Sequence, residues 1–192
     1  MDSKEQRDEW LMSQLAAGKR EGLEPLIHRY AGPILTFIRR MVGDRHRSEE
    51  LFQEVFLSVW KKRAQYEYPR PFKPWLFAIA LNQCRAASRA RRFPPSLDLD
   101  EDSPAAPMAR DPSPVDRAVA TETAVIVSAA VAQLPPQQRA VVVLRIWDGL
   151  SYAEIAEIVD RSEGTVRSNM HHGLAAVRAY LEPRLREFGA ES

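Results

Sequence analysis

The sequence predicts an all-α protein: two small helical domains joined by a flexible, proline-rich acidic linker, with a helix-turn-helix in the second domain. Three observations carry this expectation. The strongly periodic segments repeat at the three- and four-residue spacing of amphipathic helices, a central stretch lacks large apolar side chains, and two short helices flanking a tight turn stand near the C-terminus. The predicted boundaries are 1–95 for the first domain, 96–118 for the linker and 119–192 for the second domain.

In the first domain, Ser48 is a candidate helix cap, with Glu49 and Glu50 in the first turn where the helix dipole favours negative charge. Leu51, Phe52, Val55, Phe56, Val59 and Trp60 then form an apolar stripe, which predicts a helix over 49–62. Its other face carries Glu50, Gln53, Glu54 and Leu57, a surface suited to solvent or to a partner. After a proline-containing loop, Pro74 sits where a first-turn proline is tolerated, and a second helix is predicted over 73–92. Leu76, Ile79, Ala80, Cys84 and Ala87 make its apolar side. Trp75, Ala78, Asn82, Arg85, Arg89 and Arg92 project within about 100° of one another elsewhere on the helix, by the 3.6-residue period. Guanidiniums can hold phosphates, an aromatic can stack on a base and an amide can bond a base edge, so this stripe is a candidate nucleic-acid surface. Cys84, on the apolar side, reads as a small core residue.

The stretch from Phe93 to Val115 holds six of the chain's 14 prolines, and an acidic cluster at Asp98, Asp100, Glu101 and Asp102. Such composition buries too little surface to offset its conformational entropy. Fully extended, it would span up to about 70 Å.

In the second domain, Gly149 supplies a left-handed stop, and Ser151 with Glu154 three residues later forms a capping box. Tyr152, Ile155, Ala156 and Val159 follow as the buried stripe of a short helix, Asp160-Arg161-Ser162 breaks it, and Ser162 caps a second helix over 163–178. There Val166, Met170, Gly173, Leu174 and Val177 share one side, and Gly164, Ser168, His171, His172 and Ala175 lie roughly opposite, with Arg167 on the flank. Small residues and hydrogen-bonding side chains near a helix N-terminus suit the major groove of DNA, so Arg167, Ser168, His171 and His172 are candidate base readers.

Charge and composition narrow the function. Residues 1–95 carry 18 basic and 11 acidic side chains, net +7; the linker is net −4 and residues 119–192 are net −2. The first domain therefore favours a polyanion, whereas the second must bind DNA through local placement of charge. No apolar run approaches the roughly 20 residues of a membrane span, and the N-terminus lacks a secretory core, so no stable membrane insertion is expected. A single cysteine excludes an intramolecular disulfide framework and fits a cytoplasmic protein. His28 and His46 are isolated, His171 and His172 are adjacent rather than four apart, and no phosphate-binding glycine loop is present. No catalytic residue, metal site or cofactor is predicted, and the chain does not read as an enzyme. A free-standing helix-turn-helix repressor would require a dimerisation helix and would leave the Asn82 stripe unused; no clear dimer helix is evident.

Four segments in order, Ser48-Glu49-Glu50-Leu51-Phe52-Gln53-Glu54-Val55-Phe56, Pro74-Trp75-Leu76-Phe77-Ala78-Ile79-Ala80-Leu81-Asn82, Leu134-Pro135-Pro136-Gln137-Gln138-Arg139 and Gly149-Leu150-Ser151-Tyr152-Ala153-Glu154-Ile155-Ala156, resemble consecutive signatures of the extracytoplasmic-function sigma factors of bacterial RNA polymerase. The resemblance spans both helical pieces. It implies a sigma region 2 domain followed by a sigma region 4 domain, with core RNA polymerase, through its β′ clamp helices and β flap, and promoter DNA as partners and an anti-sigma protein as a regulator. It further implies that the face of Glu50, Gln53, Glu54 and Leu57 docks on the clamp helices. Trp75, Asn82, Arg85, Arg89 and Arg92 would serve the −10 element, with Asn82 at the position that contacts a flipped base. Arg167, Ser168, His171 and His172 would read the −35 element. His171 and His172 stand where many members have basic or aromatic residues.

Overall fold

The computed structural model of the chain describes residues 7–92 and 122–190, with side chains described over 7–91 and 124–184. The predicted linker, 96–118, with its acidic cluster, therefore lies outside the described residues. Among the described residues all regular structure is helical: α1 (Asp8–Ala16), α2 (Leu23–Val42), α3 (Arg45–Lys62), α4 (Phe72–Arg92), α5 (Glu122–Ala132), α6 (Pro136–Ile146), α7 (Tyr152–Val159) and α8 (Glu163–Ala190), with single 3-10 turns at Arg20–Gly22 and Arg63–Gln65. The all-α, two-domain fold class predicted from the sequence is the one observed.

In the N-terminal domain, α2, α3 and α4 close around Leu26, Ile34, Phe37, Leu51, Val55, Leu76 and Phe77, all buried, with the Phe37 and Phe77 rings edge-to-face at 5.4 Å. The expected apolar residues of α4, namely Leu76, Ile79, Ala80, Cys84 and Ala87, are all buried, and burial pushes the Cys84 thiol up to about 12, as befits a core residue. Helix α1 lies across this bundle, burying Leu11, Met12 and Leu15. Its Glu9 carboxylate accepts from the Phe72 amide at 3.1 Å, so one helix supplies a cap for the N-terminus of another.

Helix α3 begins one turn earlier than its expected start. Gly43 ends α2 in a left-handed conformation (φ 76°), which delivers the chain directly to Asp44, and the Asp44 carboxylate accepts from the Arg47 amide at 2.9 Å. Ser48 is instead fully buried inside the helix, its hydroxyl donating to the Asp44 carbonyl. The Ser48 side chain thus bonds the carbonyl four residues back, which removes it from capping.

In the C-terminal domain the capping box is complete. The Ser151 hydroxyl accepts from the Glu154 amide at 3.2 Å, and the Glu154 carboxylate accepts from the Ser151 hydroxyl at 2.6 Å and from the Ser151 amide at 2.8 Å, bonds that hold that carboxyl below its usual range, the hydroxyl's foremost. Gly149 is left-handed (φ 68°), as expected. Helix α8 packs on α6 at a point where nothing larger than glycine fits: a Cβ on Gly173 would stand 2.7 Å from Val142 Cγ2. The helix also continues past 178, through Pro183, to Ala190. Leu174, expected on the buried side, is 45% exposed. The buried seam runs Val166, Met170, Gly173 and Val177, and Leu174 lies 100° past Gly173, beyond its edge.

Arg139 draws the helix ends together. Its guanidinium donates to the Ala132 carbonyl at 2.5 Å and the Leu134 carbonyl at 3.0 Å, both at the end of α5, and to the Met41 carbonyl in the last turn of α2 at 2.8 Å. Carbonyls there have no intrahelical partner, so a fork of donors satisfies them. The last of these bonds crosses between the domains. Around it Arg40 lies over the Trp147 ring at 4.5 Å, and Lys73 Nζ donates to the Asp148 carbonyl at 2.5 Å. Helix α7 packs along α4, so α4 is covered on a second side.

Candidate nucleic-acid and polymerase-docking surfaces

The turn of the helix-turn-helix is built by two local devices. Asp160 ends α7 in the left-handed region (φ 56°), a conformation that an aspartate tolerates better than most residues, and the Arg161 amide then bonds the Ala156 carbonyl at 3.1 Å. Ser162 starts α8, its hydroxyl accepting from the Thr165 amide at 3.2 Å. Val166 and Met170 are buried beneath, against α6 and α7, which turns the other side of the first two turns of α8 outward.

On that outward side Arg167, Ser168, His171 and His172 are all exposed. The two imidazoles stand edge-to-face, with ring centres 5.6 Å apart. Arg167 is held from two directions. Its Nη2 donates to Glu163 Oε2 at 3.0 Å, and its guanidinium lies 4.5 Å from the centre of the Tyr152 ring. Arg145 lies 5.0 Å from the same ring and donates to the Leu150 carbonyl at 2.9 Å. The periodicity of the sequence carried no signal for this grouping, because Arg145, Tyr152 and Arg167 come from three different helices.

The stripe expected on α4 is divided. Trp75 is 8% exposed and sits in the core, with its ring 5.3 Å from Tyr66 and 6.0 Å from Phe72, so the expectation of a surface tryptophan is corrected. Tyr66 arrives from the loop before α4 and closes over the helix start, which a projection of α4 alone cannot register. Asn82 and Arg89 are exposed, whereas Arg85 is half-buried. Burial first, and then the charges of Arg161 and Arg89, hold the Arg85 guanidinium below its usual range, with Asp160 acting in the opposite direction. Arg85 therefore lies beside the turn of the helix-turn-helix. The side chain of Arg92 lies outside the described residues.

At the other end of the α4–α7 seam Asp148 is partly buried, and its Oδ2 has no hydrogen-bond partner among the described residues. Burial raises its carboxyl to about 6, against the smaller lowering effects of Lys73 and Arg40.

On α3, Glu50, Gln53 and Leu57 are exposed and Glu54 half-buried, with Leu57 at 56% one of the more exposed large apolar side chains. Arg47 ties the acidic pair together, donating to Glu50 at 2.7 Å and to Glu54 at 3.3 Å. An exposed leucine thus stands beside two carboxylates that Arg47 restrains. Among the described residues no helix is long and apolar enough to cross a membrane.

Comparison with known proteins gives the family of the chain. Residues 26–93 match the family model for sigma-70 region 2, and residues 124–177 match that for sigma-70 region 4. The chain is 33% identical to the RNA polymerase sigma factor CarQ of Myxococcus xanthus, over 88% of this chain and 95% of that protein. Its fold resembles that of CnrH, solved in complex with the cytosolic domain of CnrY, with a TM-score of 0.70 at 22% identity over 92% of this chain and 97% of that one. It also resembles the sigma factor RpoE of Bartonella quintana, solved in complex with the anti-sigma factor NepR, with a TM-score of 0.61 at 19% identity over 83% of this chain and 96% of that one. The chain therefore belongs to the extracytoplasmic-function sigma factors of the sigma-70 family, the non-enzymatic initiation factors that direct RNA polymerase to promoters.

Proposed function

We propose that the two helical domains divide promoter recognition between them, with α8 reading the −35 element as duplex and α4 capturing the −10 element as it melts. The observation that carries this reading is the outward cluster of Arg167, Ser168, His171 and His172 on the first turns of α8, opposite a buried seam that fixes the helix in place. On α4, Asn82 supplies an exposed amide for an extruded base, with Arg85 and Arg89 on the same stripe for the backbone. Trp75, being in the core, supports this surface from beneath. The α3 face of Glu50, Gln53, Glu54 and Leu57 is the docking surface for the β′ clamp helices of core polymerase, and the C-terminal domain meets the β flap. The complex of the similarly folded RpoE with NepR supports an anti-sigma protein as a regulator of this chain in the cytoplasm.

The two halves of the reading separate experimentally in holoenzyme. Arg167→Ala is expected to cost about 1–3 kcal/mol of discrimination at one upstream base pair while other positions keep their preference. Asn82→Ala is expected to leave closed complexes intact but make permanganate-reactive thymines scarce, and a premelted template should restore part of the transcription. Normal opening of duplex promoters by Asn82→Ala would remove α4 from the melting step.

A further inference from the structure

Among the four outward residues of α8, Arg167 alone offers a planar fork of donors able to make two parallel bonds to one base. Such a fork discriminates only when it arrives in the right plane, and a free arginine side chain spreads its guanidinium over many rotamers. Here the fork is fastened before DNA is present. Glu163, one turn earlier on the same helix, takes Nη2 at 3.0 Å, and the Tyr152 ring lies beneath the guanidinium at 4.5 Å. An exposed ion pair of this kind fixes little by itself, because the carboxylate can follow the guanidinium through solvent. The ring is the more directional hold, since the attraction acts over its face.

Tyr152 is itself immobilised. It is the first residue of α7, immediately after the Ser151 cap, and its ring also meets Arg145, which is anchored to the Leu150 carbonyl. The sequence of supports runs from backbone to Arg145, from Arg145 to the ring, and from the ring to the reading arginine. We propose that Tyr152 is a positioning residue for specificity: it holds the Arg167 fork in the orientation required for a bidentate base contact, and so sets base preference at one position of the upstream element. This rests on the reading of α8 as the −35 reader. Holding the fork in advance reduces what must be ordered on binding, and the gain is confined to the base that the fork meets.

The test uses holoenzyme assembled with the full chain and a promoter library randomised across the upstream element, comparing the wild type with Tyr152→Phe, Tyr152→Leu and Arg167→Ala. Tyr152→Leu is expected to lower discrimination about two- to fivefold at the same position that Arg167→Ala relaxes, the range set by an exposed cation–ring contact. It should leave the remaining profile unchanged, and Tyr152→Phe, which keeps the ring face, should match the wild type. In the free protein, the Arg167 Nε–H resonance should carry an upfield ring-current shift that Tyr152→Phe keeps and Tyr152→Leu loses.

Wild-type preference in Tyr152→Leu at that position would overturn the proposal and leave the reading of α8 standing. An equal loss on all sequences would also overturn it, by making Tyr152 a backbone contact or a structural residue. If Arg167→Ala relaxes no position, the reading of α8 fails and the proposal with it. Should Tyr152→Leu fail to fold, absence of the ring-current shift in the wild type would overturn the proposal by itself.

Discussion

Helices α4 and α8 both carry a stripe expected to meet DNA, yet the protein treats them differently. Helix α8 is buried along one seam through Val166, Met170 and Gly173, and its other side is open, so Arg167, Ser168, His171 and His172 are presented together. Helix α4 is covered by α2 and α3 on one side and by α7 on another, its Trp75 is sunk under Tyr66, and only Asn82 and Arg89 of its described stripe stand fully exposed. A helix with one covered side shows its whole reading surface, whereas a helix with two shows only what its neighbours leave. In the arrangement observed, the surface proposed for the upstream element is open and the one proposed for the −10 element is partly covered.

The largest expected effect tests the burial of α4. Trp75→Ala should cost about 3–5 kcal/mol of unfolding free energy, because it removes a large ring from a packed aromatic cluster. Urea denaturation measures it. A variant of normal stability with impaired promoter opening would instead return Trp75 to the DNA surface and erase the contrast with α8.

Next in size is the single seam of α8. Gly173→Ala forces a methyl group against Val142, and overpacking of this kind costs about 1–3 kcal/mol. The loss should appear in denaturation of the full chain and, if α8 shifts outward to relieve it, as weakened binding to the upstream element. Unchanged stability would mean that α8 is held less firmly than its buried residues indicate.

The smallest effect concerns the cover on α4. Asp148 has its carboxyl raised from 3.8 to about 6 in the folded chain, so the folded state binds the proton more tightly than the unfolded state. Its contribution to stability must therefore rise as pH falls from 7 towards 5, through relief of a buried charge that is present above pH 6. Asp148→Asn should flatten the pH dependence in that window by a fraction of a proton. Identical slopes in the two proteins would place Asp148 in solvent and loosen the α4–α7 seam.

These contrasts also show what the sequence could and could not disclose. Local devices were legible because their parts lie within a few residues: the Ser151 and Glu154 capping box, the left-handed Gly149, the cap at Ser162 and the apolar residues of α3. Ser48 misled because Asp44, four residues earlier, competed for the same cap and followed directly from Gly43. Phe77 and Leu81 of α4 are buried although they lie outside its predicted apolar side; Phe77 packs edge-to-face on Phe37 of α2, a partner that the projection of one helix does not register. The exposure of Leu174 turns on where the α6 contact lies along α8, which Gly173 fixes through Val142. The grouping of Arg145, Tyr152 and Arg167 depends wholly on tertiary geometry. The sequence placed Ser168, His171 and His172 on one side of α8 with Arg167 on its flank, and all four are exposed; their roles, like those of Asn82 and the α3 surface, rest on the experiments described.

Arg139 gives the junction between the domains a particular mechanical character. It bonds the carbonyls of Ala132 and Leu134, which belong to its own domain, and that of Met41, which belongs to the other. Parting the domains would break the bond to Met41 and would also expose the α4–α7 seam. The Met41 bond therefore adds to a wider junction, in which Arg40 lies over Trp147, Lys73 donates to the Asp148 carbonyl and α7 packs along α4, so the seat of one domain on the other is spread over several helices.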